Sequence, residues 1–457
     1  MRINASGLRS ILKPSFLLRL FLILLPIAAY YWTMSLSVSR LPFGDDYPFV
    51  LAFLRQWKHT TGFVPLVQAI VVTQDEVYKL IFGRVLYAVM YSISGFADLR
   101  AMSIIGNLFA LPLAGVLYMM WRKGEAARSL HMDGFIPVVY LFFQLQYASA
   151  LNTAFAPMQY LPALLFGLLC IYYCVQQSPR DQAVAMLFFI LAASSSGNGL
   201  FLLPICMLQA LINRKYLRVL LWLALGCAMA WVIVGLGNTH SGAQVHNGGF
   251  GGFLFSISPI FALAFLGAIG AASNPIPAVI LGCVFMATLA YATYRKAYRT
   301  APQLYFLMIF IVITAIAVSA LRAEHAEGLV RAVGSRYRIY STLLLIANYM
   351  YFADLWKEKL VYLRSRKLVC IVTLVLLGAF DLISDWEGNK LLETRRVKTE
   401  AAFLRWERHE TRPTVIAERP GDYTVANEKL GYYEPKFPDL TDAIEDGVYR
   451  LPRLPEK

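Results

Sequence analysis

Asp45 and Asp46 stand side by side in the stretch Gly44-Asp45-Asp46-Tyr47-Pro48, just beyond the first long apolar run of a 457-residue chain. Carboxylates are costly beside hydrocarbon, so a pair at that position calls for a task. Transfer of a group from a phosphate to a hydroxyl supplies one: it asks for a carboxylate near the acceptor oxygen, as base or orienting acceptor. If the first run crosses a bilayer from inside to outside, both acids reach the outer surface, where a lipid-carried substrate presents its head group. Two adjacent residues rarely point the same way, so one of the pair faces the reaction and the other makes local hydrogen bonds. The plain alternative is an Asx-type turn before Pro48. Glu76 is a second acid in the same region, placed to hold an acceptor or a divalent ion, or simply to cap a helix.

The same chemistry needs cations near the departing phosphate. Arg322, Arg331, Arg336 and Arg338 cluster within 17 residues, and arginine suits bidentate phosphate contacts. Arg336 leads this set because it sits in Ser335-Arg336-Tyr337 at the mouth of an apolar run, with Arg331 and Arg338 next; salt bridges with Glu324 or Glu327 are an ordinary use for its neighbours. Arg84 is a further cation, although snorkelling alone explains a basic residue in an interfacial helix. Asn198, in the polar turn Ser194 to Gly199, is a donor-contact candidate, and Tyr160, Trp386 and Trp406 are the aromatic residues to test for stacking on a substrate ring. His240, His246 and His325 form no recognisable metal triad with the acids, so no metal or other cofactor is expected, a divalent ion at Glu76 being the exception left open. Walker, dinucleotide-binding and nucleotide-sugar signatures are absent.

These residues need a scaffold. With 58% hydrophobic and 15% charged residues and a mean hydropathy of +0.55, the chain is too apolar for a soluble globular protein. Its apolar runs match the roughly 20 helical residues that cross a hydrocarbon core, and no ten-residue alternation suggests a barrel, so an all-α polytopic membrane protein is expected. The net charge of +14 sits in short clusters between apolar runs, the pattern that orients membrane helices rather than one that binds nucleic acid. All six cysteines fall inside apolar runs, where packing is their expected role. Basic residues before the first run mimic a secretory signal, but the run from Phe16 to about Val38 is long for one and is expected to be retained.

Spans are expected near residues 17–38, 99–121, 134–151, 159–176, 183–194, 200–212, 218–237, 275–294, 303–321, 339–355 and 368–386, eleven in all. The basic connections at Arg122 to Arg128, Arg180, Arg214 to Arg218, Arg295 to Arg299 and Lys357 to Lys367 then fall on one side with the N-terminus, which the positive-inside rule makes cytoplasmic. Two further apolar runs, Leu80 to Ala97 and Phe253 to Ala272, would reverse that pattern if they crossed. The first is expected to lie at the outer interface and the second to be re-entrant or interfacial. Residues 1–386 thus form a transmembrane domain with a long outward loop at 39–98, and residues 387–457 a C-terminal region on the outer side, opening with an amphipathic helix from Leu391 to Arg408 and resting on the membrane domain.

An acid beyond the first helix, a second acid in the same loop, interfacial helices and about a dozen spans together resemble the GT-C superfamily of membrane glycosyltransferases, in particular a bacterial branch of it. Phe43-Gly44-Asp45-Asp46 is similar to that branch's first-loop acidic motif, and Asp75-Glu76 followed by Arg84 to its second, although Val77 and Tyr78 stand where the pattern has His and Arg. Ala156 to Tyr160, Ser194 to Gly199, Leu266-Gly267, Ser335-Arg336-Tyr337 and the closing Gly447-Val448-Tyr449-Arg450-Leu451-Pro452 follow in a similar order. The resemblance implies transfer of a sugar from a polyprenyl-phosphate carrier to a glycan or lipid-linked glycan acceptor at the periplasmic face of a bacterial inner membrane, among membrane lipids and without nucleic acid. It implies Asp45, Asp46 and Glu76 as catalytic and Arg336, Arg331, Arg338, Arg84, Tyr337 and Asn198 as substrate or phosphate contacts. A ligase or polymerase moving whole glycans is the neighbouring enzyme class. A transporter or flippase of lipid-linked sugars is the rival outside enzymes, for which ionisable groups deep in several spans are expected, whereas the expected mid-span regions here are nearly free of them and the charges gather at the outer surface.

Overall fold

The computed structural model describes residues 14–71, 80–124, 126–130, 132–235, 257–270, 275–322, 329, 332–362, 366–407 and 439–452. Among them the fold is all-helical. The first helix, α1 (Pro14–Ser37), leads into a wide π-type turn at Tyr47–Leu51 and the short helices α2 (Ala52–His59), α3 (Phe63–Val71) and α4 (Ile81–Ser94). Then come α5 (Leu99–Leu108), α6 (Ala110–Lys123), α7 (Ile136–Phe142), α8 (Phe155–Cys174), α9 (Pro179–Ser195), α10 (Leu202–Ile212) and α11 (Tyr216–Ala230). The chain continues through α12 (Pro259–Leu266), α13 (Pro275–Tyr294), α14 (Pro302–Arg322), α15 (Ser335–Tyr362), α16 (Arg366–Glu407) and α17 (Asp439–Glu445).

Local chemistry sets several of these boundaries. Asp98 caps α5 by accepting the Ala101 N–H at 3.0 Å, and Ser178 caps α9 by accepting the Asp181 N–H at 3.1 Å, with Pro179 at the first helical position, where its missing donor costs nothing. Gly95, at φ +73°, ends α4 in the left-handed conformation that closes helices. Among the described residues, six segments are long and apolar enough to cross a membrane: 16–37, 99–123, 155–174, 216–233, 275–294 and 302–320. Leucines 17, 18, 24 and 25 of α1 and 217, 220 and 221 of α11 project outward, as they do where the surrounding solvent is lipid. This is the architecture of a multi-pass membrane protein.

Within the run expected to be re-entrant or interfacial, the described residues form the eight-residue α12, which packs against α13: a Cβ on Gly267 would meet the Ala278 carbonyl at 1.9 Å, and one on Gly282 the Leu263 carbonyl at 2.0 Å. These paired approaches make an antiparallel hairpin that only glycine permits. One element differs from its expected form: α16 runs unbroken across the expected boundary at 386/387 and merges the 368–386 segment with the amphipathic helix from Leu391. Nothing in that stretch breaks a helix, since it lacks proline and its one glycine in the junction, Gly388, is pressed onto the backbone of Leu145.

The C-terminal residues are sewn to the first loop. Ala97 N–H donates to the Val448 carbonyl at 2.7 Å, Tyr449 Oη to the Arg40 carbonyl at 3.0 Å, and Arg55 pairs with both Asp442 (2.9 Å) and Asp446 (2.8 Å). Beneath them Tyr47, Phe53, Tyr87, Phe155, Phe403 and Leu440 share one small hydrophobic core. The tail, the first loop and the upper end of α16 therefore form one cap on the bundle.

Candidate functional site

The cap holds a cleft at the junction of three chain segments. Phe43 and Asp46 come from the first loop, Asn152 and Thr153 from the connection into α8, and Arg395, Arg396 and Thr399 from α16. Gly44, at φ +54°, turns the chain so that the two acids part: Asp45 is exposed, whereas Asp46 is 1% exposed and lines the cleft. Asp46 Oδ2 accepts the Phe43 N–H at 3.1 Å and Oδ1 accepts the Phe155 N–H at 2.8 Å, so the carboxylate pins the first loop to the start of α8. Burial pushes the Asp46 carboxyl up to about 7 against the pull of these N–H donors, with a further rise from the Asp45 charge.

Facing it, the Arg395 guanidinium lies over the Phe43 ring at 4.4 Å and donates to Asn152 Oδ1 at 2.6 Å. Stacking and the hydrogen bond fix its plane. Arg396 sits beside it, reaching Glu400 only at 4.0 Å. A buried carboxyl poised near neutrality, opposite two guanidinium groups in a wall of amide and hydroxyl groups, can orient or deprotonate a hydroxyl while cations face a phosphate.

The other expected residues lie elsewhere. Arg84 is a correction: it does not reach a lipid surface but is 3% exposed, its guanidinium over the Phe53 ring at 5.4 Å and donating to the Ala69 and Ile70 carbonyls. Gly83, Tyr87 and Ala88 share that buried face of α4, so helical spacing turns Arg84 inward, where it ties α3 to α4. At the start of α15, Arg336 lies over the Tyr337 ring at 5.6 Å, Tyr337 is buried against Phe265, and Arg338 donates to the Val333 carbonyl within electrostatic reach of Glu387. Asn198 donates to Tyr340 Oη at 2.7 Å, which ties the turn after α9 to the same end of α15. Arg338 thus brings the start of α15 within electrostatic reach of Glu387 of α16, two turns before Arg395 on the same helix. Glu76, Arg331 and the three loop histidines lie outside the described residues, as does the side chain of Trp406. Trp386 is 67% exposed beside Lys390. Among the described residues no group of three or more His, Cys, Asp or Glu side chains is placed to hold a metal ion.

Arg395, Arg396 and Asn152 escape sequence reasoning because Asn152 and Arg395 are 243 positions apart and meet only through the fold. The available signal was the adjacent arginine pair on the amphipathic half of α16. Searches of family models, curated proteins and solved structures return no match to this chain.

Proposed function

We propose that the chain is a glycosyltransferase that moves a sugar from a polyprenyl-phosphate carrier to a glycan or other cell-envelope acceptor at the outer face of a bacterial inner membrane. The fold in which it does so has eleven spans, N-terminus in the cytoplasm and C-terminus outside. Asp46 orients and deprotonates the acceptor hydroxyl, and Arg395 and Arg396 neutralise the departing phosphate. Asp45 stands at the rim, and Arg336 and Arg338 serve the far end of the donor or acceptor. One observation supports this reading above the rest: a carboxyl held near neutrality shares a cleft with two arginines at the end of an apolar helical bundle. Resemblance of the first-loop and tail motifs to the GT-C superfamily points the same way.

A transporter of lipid-linked sugars is the second reading, favoured by Asp381 and Asp385 within the stretch of α16 expected to cross the bilayer. Envelope glycan analysis of cells with and without the gene, coupled to location of the lipid-linked donor, separates the two. A transferase leaves unconsumed donor at the outer face when it is deleted; a transporter leaves it at the inner face. An unchanged glycan profile and donor pool overturn both.

A further inference from the structure

α7 stops at Phe142, although the chain runs on through Gln144 to a tight turn at Leu145–Tyr147 and a short helix at Ala148–Leu151. Side chains repair the backbone donors that this break exposes. Gln144 Oε1 accepts the Gln146 N–H at 2.7 Å, and Asp385 of α16 accepts the Leu145 N–H at 3.1 Å. What is left over lies between the break and α16. Asp381 precedes Asp385 by one helical turn, with Ser384 on the same inward side, and Gln146 Nε2 meets Ser384 Oγ at 3.1 Å. That contact brings the Gln146 carboxamide onto the acidic face of the helix. Gln146 is 8% exposed, yet its Oε1 has no hydrogen-bond partner among the described residues, and neither has the buried Oδ1 of Asp381. Tyr140 and Tyr147 lie within electrostatic reach of the two carboxylates, and the Tyr147 hydroxyl is engaged with the Phe142 carbonyl. No ion pair among the described residues reaches Asp381 or Asp385.

Both unpartnered atoms are oxygen acceptors, so the site lacks positive charge rather than a further acceptor. Two carboxylates one turn apart in such surroundings are costly unless a cation neutralises them. A proton on Asp381 would join one pair of oxygens, whereas a metal ion draws on the Asp381 carboxylate, Gln146 Oε1, Ser384 Oγ and the free oxygen of Asp385 together. All four are hard oxygen ligands. Asp385 already accepts the Leu145 N–H, which leaves Asp381, with its unpartnered buried Oδ1, as the carboxylate most open to the ion, and Gln146 and Ser384 are neutral, a thinner set than the several carboxylates of a calcium cage. Interrupted membrane helices supply this kind of ion site. We propose that the break after α7 and the Asp381–Asp385 face of α16 form a binding site for a small monovalent cation, with sodium as the probe.

The test is the melting temperature of the purified full-length protein in detergent, in sodium chloride against choline chloride at equal ionic strength and pH. Sodium raises the wild-type midpoint by roughly 3–5 °C, the shift expected of a ligand well above its dissociation constant. Asp381→Asn and Gln146→Leu lose that difference, while the distant Asp446→Asn keeps it. Asp381→Asn preserves shape, so its midpoint in choline equals or exceeds the wild type's if it folds normally. Identical wild-type midpoints in the two salts overturn the site. So does a response to magnesium or calcium in place of sodium, or a pH dependence that is the same in both salts, which identifies a shared proton.

Discussion

Asp46 and Asp45 differ in environment more than in chemistry, and that difference makes them separable by mutation. Asp46→Asn removes the charge but places an amide donor against either the Phe43 or the Phe155 N–H, so both base function and local fit suffer; Asp45→Asn changes only an exposed group. Asp46→Asn is expected to lower sugar transfer by about 10² to 10⁴, and Asp45→Asn to leave it within a few fold, in assays of membranes matched for protein abundance. The pH profile separates chemistry from fit. On the proposed reading, with burial raising the Asp46 carboxyl to about 7, transfer falls as pH drops through that value. The linked stability runs the other way. A carboxyl whose folded-state pKa is raised binds its proton more tightly in the folded state, so its contribution declines as pH rises from about 4 to about 7 and is flat above. Melting curves across that range should be steeper in pH for the wild type than for Asp46→Asn. Arg395 invites a parallel comparison: Arg395→Ala should abolish transfer and Arg395→Lys restore only part, because a lysine lacks the planar fork that stacks on Phe43. Full activity in Arg395→Ala membranes would move the phosphate to Arg336, whose alanine variant is then the next to measure. The acid pair was legible from its place after the first apolar run, and the glycine before it from turn chemistry. Which acid turns inward was not, since that depends on the Phe155 N–H 109 positions away.

Helices were legible wherever apolar length alone decides them, and least so where a side chain's partner decides its direction. Arg84 reads as a snorkelling residue because periodicity shows that α4 is amphipathic without showing which face meets Phe53. The continuity of α16 was hidden for a related reason: a change from apolar to amphipathic composition suggests a boundary, yet no residue there stops a helix. The junction is instead held by contact, with Gly388 so close to Leu145 that a Cβ would lie 2.4 Å from its carbonyl oxygen. Gly388→Ala must therefore push α16 away from the Leu145–Tyr147 turn, against its own better helix propensity. A lower melting temperature in this variant is the expected result; a gain would mean that propensity outweighs the clash and that the seam is looser than its geometry. Leu440 gives the matching test for the cap. It is fully buried against the first loop, and Leu440→Ala should cost about 2–5 kcal/mol of local packing, seen as faster proteolysis near residue 439 while the bundle stays intact.

At the scale of the molecule, the contacts divide the chain into two ends whatever solvent surrounds it. Arg40, Arg55, Asp98, Asn152, Asn198, Arg338, Arg395 and Tyr449 belong to the end that carries the cleft, linked by the bonds among loop, tail and α16. The opposite end is marked by the Asp354 carboxylate accepting the Ala126 N–H at 2.7 Å and by the Arg19–Asp133 pair at 2.6 Å. Arg122 and Lys123, in the last turn of α6, adjoin the Ala126–Asp354 contact and so lie toward that second end. Only the charge bias says which end faces the cytoplasm. Reporters active solely in the cytoplasm should therefore work when fused after Lys123, Arg299 or Arg364 and fail after Lys457, and cysteines introduced at exposed Asp45 and at Asp446 should react with a membrane-impermeant reagent in intact cells. Labelling at one of these two positions without the other would contradict the Arg55–Asp446 contact that places loop and tail on one side. Silence at both, with an active reporter after Lys457, would turn the whole molecule over, and a cleft opening to the cytoplasm would be out of reach of any acceptor in the cell envelope.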